Sequence, residues 1–95
     1  MRPGLVDEDL LDVLFLSAET AIREGNPIRF VRDRDADRNL KNQIMPDSSV
    51  DKSIVSRHYK QLCESGRLEV VVVGYDRQTV FGQIVSYEIV EIHTH

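Results

Sequence analysis

Residues 50–70, VDKSIVSRHYKQLCESGRLEV, decide how this chain folds. Val50, Ile54, Val55, Tyr59, Leu62 and Cys63 lie on one broad face of an α-helix, recurring largely at intervals of three and four. Ser48 or Ser49 opens that helix, and Ser48 with Asp51 three residues on has the form of a capping box with the shorter acid. Gly66 provides the exit. From Leu68 the apolar period becomes that of strands: Leu68 to Val73, a turn-rich Gly74 to Gly82, then Ile84 to Ile92, rich in Val, Ile and Tyr. Two strands of similar length joined by a polar tip predict a β-hairpin.

Upstream, Leu10, Leu11, Leu14, Ala18 and Ile22 recur at helical spacing behind a group of acids, with Arg23 in the last turn and Gly25 after Glu24. Acids at the positive end of the helix dipole and a glycine to leave by predict a helix from about Asp7 to Glu24. Val13, Phe15 and Leu16 widen its apolar stripe beyond what one core contact requires. Asn26 and Pro27 stop it, and Ile28 to Val31 reads as a short extended piece. Ala36, Leu40 and Ile44 fall four apart with Asp35 or Asp37 available as a cap, which predicts a second helix to about Gln43, before Pro46. No repeat, linker or low-complexity tract interrupts this order, so residues 1–95 are expected to form a single domain.

A chain of 95 residues can bury one modest core, and 41% hydrophobic with 29% charged residues describes a packed protein, not a disordered one. The apolar run Val70 to Val73 is far below the roughly 20 residues that a membrane helix needs, and no basic stretch followed by an apolar region marks a secretory signal. Cys63 is the lone cysteine, which excludes an internal disulfide and makes a reducing, intracellular and cytoplasmic setting the expectation.

The net charge of −4 argues against indiscriminate coating of nucleic acid, because phosphate affinity comes from clustered Lys and Arg. The charge is unevenly spread, however. Residues 25–67 carry nine basic side chains against six acidic ones, a surplus of +3, whereas the segments before and after carry −4 and −3. Any anionic partner is therefore expected at the middle segment.

The order helix, short strand, helix, turn, helix, hairpin resembles a winged helix-turn-helix domain. Residues 50–70 resemble that superfamily's recognition helix, glycine turn and first wing strand: a helix bearing serine and arginine, a Gly turn, a leucine and an apolar strand. The resemblance implies an α+β fold of three helices, a short strand and a C-terminal hairpin wing. It also implies binding of double-stranded DNA, with the helix around residues 50–65 in the major groove. The residues suit that role. Lys52, Ser56 and Lys60 follow one another four apart, with Ser53 and Arg57 on the adjacent row, so all five are expected to point outward. Arg57 suits a bidentate contact to guanine, and the lysines and serines suit phosphate. The polar stretch Tyr75 to Thr79 would form the wing tip, where Arg77 is the one basic residue.

Other signals are weaker. Asp33, Asp35, Asp37 and Asn39 imitate the first half of a calcium loop, but Arg38 and Ile44 stand where an EF-hand needs Gly and Glu. His93 and His95 lack the further ligands of a zinc site, and His58 reads as a residue at the edge of a core. No nucleophile elbow, phosphate loop or dinucleotide fingerprint is present, so neither catalysis nor a metal or cofactor is expected. Two functions remain open: a homodimeric transcription regulator that binds DNA, and a winged-helix protein-interaction module. The topology and the basic middle segment motivate the first, with two-fold pairing expected through the first helix, the last strand or both, and the acidic ends, the sparsely basic wing and the apolar excess on the first helix motivate the second.

Overall fold

The computed structural model describes residues 7–94. Within them the order is α1 (Glu8–Arg23), β1 (Arg29–Val31), α2 (Ala36–Ile44), α3 (Lys52–Glu64), β2 (Leu68–Val80) and β3 (Gln83–Thr94). The three strands form one antiparallel sheet in the order β1-β3-β2. This is a small α+β domain with three helices and a wing-like hairpin.

Each boundary has a local cause. The Asp7 carboxylate accepts from the Asp9 and Leu10 amides at 3.0 and 3.3 Å, capping α1, and Gly25 leaves it in the left-handed region with φ 75°. Asp35 occupies the N-cap position of α2 without capping it. The carboxylate of Asp33 instead accepts from the Asp35 amide at 2.8 Å.

Helix α3 starts at Lys52, later than the sequence suggests, and the expected capping box does not form. The Ser48 hydroxyl accepts from the Val50 amide at 3.1 Å, which holds residues 48–50 in a local turn, and the Asp51 carboxylate accepts from the Ser53 hydroxyl. That hydrogen bond holds the Asp51 carboxyl below its ordinary range.

The hairpin departs most from expectation. β2 does not end at Val73 but runs through Gly74 to Val80, so Tyr75 to Thr79 are strand, not tip. The pairing Val72↔Val90 is followed by Gly74↔Ile89, so Val73 is an extra residue, a bulge. Gly74 marks this bulge and has no positive φ. The turn is Phe81–Gly82, with φ of 50° and 76°, the pattern of a two-residue type I′ connection.

The core joins all three helices to the sheet. Leu14, Leu40, Leu62, Val55, Val90 and Ile92 are fully enclosed, and the Phe30 and Tyr59 rings meet edge to face with centroids 6.3 Å apart. His58 is buried at the margin of this core. Its Nδ1 lies 2.8 Å from the Ile54 carbonyl and its Nε2 accepts from the Asp7 amide at 3.0 Å, tying α3 to the start of α1. Arg67 lies 4.6 Å over the Phe15 ring and 3.8 Å from Asp12, securing the α3–β2 corner against α1.

Candidate nucleic-acid interface

Helix α3 is held from beneath by Val55, His58, Tyr59 and Leu62, all buried, and this leaves Lys52, Ser53, Arg57 and Lys60 on the surface. Ser56 does not join them. It is 6% exposed, and its hydroxyl donates to the Asp37 carboxylate at 2.6 Å, locking α3 to α2. The row Lys52, Ser56, Lys60 runs along the α2 side of the helix, so its middle member is covered. Arg77 is exposed but lies within β2, opposite Ser86 and four residues short of the Phe81–Gly82 turn.

Ion pairing reshapes the basic middle segment. Arg29 pairs with Glu91, Arg32 with Glu88, Arg34 and Arg38 with Asp35, and Arg67 with Asp12. Among the described residues, Lys41, Lys52, Arg57 and Lys60 are the basic side chains of that segment with no carboxylate within 4.0 Å, and the last three all stand on α3. Three of these four cations are thus gathered on one helix, which has the acids Asp51 and Glu64 at its two ends. The pairs of Arg29, Arg32 and Arg67 could not be read from sequence, because their partners lie on distant elements, whereas Arg34 and Arg38 pair with neighbouring Asp35.

The aspartate run is also consumed internally. Asp33 accepts from the Gln78 side chain at 3.1 Å and from its own loop, which lowers its carboxyl below the ordinary range. Asp35 faces Arg34 and Arg38, and Asp37 holds Ser56. Among the described residues no group of three His, Cys, Asp or Glu side chains could hold a metal ion. His93 lies 3.0 Å from Glu91, and His95 is outside the described residues. No described helix is long and apolar enough to cross a membrane. Cys63 is half-buried, and burial pushes its thiol up, away from the reactive thiolate.

Two features were not legible in the sequence. A cavity of about 460 Å³ opens between α2, α3, β1 and β2, with Lys60 and Ser56 on its wall. Phe81, at the hairpin turn, is fully exposed, and Ile84 and Tyr75 are 72% and 67% exposed. The chain matches no family model, and neither curated proteins nor solved structures give a significant match.

Proposed function

We propose that this protein binds double-stranded DNA as a small transcription regulator, with α3 entering the major groove. The observation that carries the reading is the set of three unpaired cations, Lys52, Arg57 and Lys60, on one helix whose opposite face is anchored in the core. A groove-reading helix needs both a rigid back and free donors in front. The element order and the sheet order support a winged-helix arrangement, with β2–β3 as the wing and Arg77 as its one basic residue. Arg57 is the base-reading candidate. Lys52 and Lys60 contact phosphate, Ser53 can join them only by turning its hydroxyl away from the Asp51 carboxylate, and Ser56 positions the helix through Asp37.

One α3 reads few base pairs, so the reading includes a homodimer on a two-fold site. Val13 and Leu16 on α1, 43% and 57% exposed, offer an apolar surface for that pairing. Fluorescence polarisation with a random-sequence duplex at low salt tests the proposal. Binding that weakens steeply with salt supports it, and none at high micromolar protein overturns it.

The exposed apolar side chains Val71, Val72, Val73, Tyr75, Phe81 and Ile84 along the hairpin favour a second reading, a module that docks on another protein. Failure to bind duplex, together with a clean monomer by sedimentation at tens of micromolar, would favour that alternative.

A further inference from the structure

Phe81 is costly where it stands. Its backbone has a left-handed φ of 50°, which bulky side chains rarely adopt, and its ring is fully exposed, so it contributes nothing to the fold of one chain. A strained position that folding does not explain points to a use outside the chain. The cavity between α2, α3 and the sheet has the opposite character: Phe30, Ala36, Leu40 and Val70 give it an apolar wall, and its volume is about 460 Å³.

The two features lie on one surface. Val70 and Val72 are opposite Ile92 and Val90, both enclosed, so they stand on the helix-covered face of the sheet. Beyond the Val73 bulge, Tyr75, Arg77 and Thr79 are opposite Glu88, Ser86 and Ile84, which continue that face of β3 in steps of two. The cavity wall therefore runs out along the hairpin as an uncovered strip that carries the exposed side chains Val72, Tyr75 and Ile84.

This strip is complementary to itself. Asp76 is five steps from Val70, with the bulged Val73 left out, and five from Phe81. Two hairpins laid face to face about a two-fold axis at Asp76 would thus set Phe81 of each over Val70 and the cavity of the other. The same register sets Ile84 over Val72, and Arg77 over the Tyr75 ring and the Glu88 carboxylate, with no like charges opposed. Charge agrees as well. The cavity wall holds Asp33, Asp37 and Glu64 against Arg32 and Lys60, whereas residues 77–87 carry one charge, that of Arg77. Phe81 and Tyr75 would bury on the order of 300 Å² per copy, and with Val72, Ile84 and the cavity wall the pairing approaches the roughly 800 Å² per partner of a stable interface.

We propose that the cavity is the receptor for the hairpin turn of a second copy of this chain, the two copies exchanging Phe81 reciprocally. The pairing needs neither duplex nor α1, and its failure would leave the DNA reading untouched.

Sedimentation equilibrium between low micromolar and millimolar concentration tests it, together with isotope-filtered NOEs in a mixture of labelled and unlabelled chain. The wild type should dimerise and show intermolecular NOEs from the Phe81 ring to Ala36 and Leu40. Phe81→Asn, which suits the turn, and Ala36→Leu, which fills the cavity from α2, should each fold, as amide spectra will report, and each weaken the dimer at least about tenfold. Leu16→Glu on α1 should leave it unchanged. A monomer throughout, a dimer without those NOEs, or a dimer that survives Phe81→Asn but not Leu16→Glu would overturn the proposal.

Discussion

Replacing Tyr59 by Phe should make the protein more stable, although Tyr59 is a core residue. The substitution removes one oxygen and keeps the ring, so the edge-to-face contact with Phe30 at 6.3 Å survives. In the wild type the hydroxyl is enclosed with no well-formed hydrogen bond among the described residues, although the Cys63 thiol and the Arg32 guanidinium are its neighbours. A buried donor left unsatisfied costs about 1–3 kcal/mol in lost hydration, whereas the dispersion contacts of a single oxygen are worth only a few tenths of a kcal/mol. The net expectation is a gain of about 1 kcal/mol, which in a domain of this size raises Tm by about 4–8 °C. Urea unfolding followed by circular dichroism measures it, and an unchanged m-value shows that the gain belongs to the folded state. A loss of about 0.5 kcal/mol or more would refute the reasoning, because it would mean that the hydroxyl is hydrogen-bonded in solution.

With Lys52 and Lys60 on phosphate, the logarithm of duplex affinity should fall with the logarithm of salt at a slope of about −1.8 per bound chain, and Lys60→Ala should reduce that slope by about 0.9 for every sequence. Arg57→Ala should cost about 1–3 kcal/mol on a preferred site and relax discrimination there; equal losses on preferred and random duplex would make Arg57 a phosphate contact. Leu14→Ala, at a position 1% exposed, should destabilise by about 2–5 kcal/mol in urea unfolding. Phe81→Asn should stabilise by about 1 kcal/mol on the same measurement, since the left-handed φ of 50° suits Asn and the lost ring is fully exposed. Arg29, then His93, holds the Glu91 carboxyl below its ordinary value of 4.5, so the stability it contributes is complete above that pH and is lost as pH falls through the lower folded value. Unfolding midpoints measured from pH 6 downward should decline less steeply for Glu91→Gln.

Helix α1 was legible because every local signal agreed: the Asp7 cap, the leucine spacing and the Gly25 exit all lie within one stretch of chain. The hairpin was legible as a pair of strands but not in its geometry. Gly74 inside an apolar run reads as a turn, yet glycine serves bulges as readily, and only pairing with Ile89 distinguishes the two. The Phe81–Gly82 turn was hidden because Phe is an unusual occupant of a left-handed position that commonly takes Asn or Asp. Similarly, Ser48 and Asp51 have capping-box spacing, but nearer partners, Val50 and Ser53, take up their oxygens.

The site was legible to the extent that helical periodicity fixes exposure. Lys52, Ser53, Arg57 and Lys60 lie outside as their spacing implies, and Ser56 fails because exposure also depends on what packs alongside. Asp37 on α2 is the residue that covers it, from nineteen positions away. Ser56 and Lys60 are on the cavity wall, and Lys60 also belongs to the cationic face. Charge and packing therefore act on the same row of α3, so Ser56 sets where Lys52 and Lys60 stand through its bond to Asp37 without itself facing a partner.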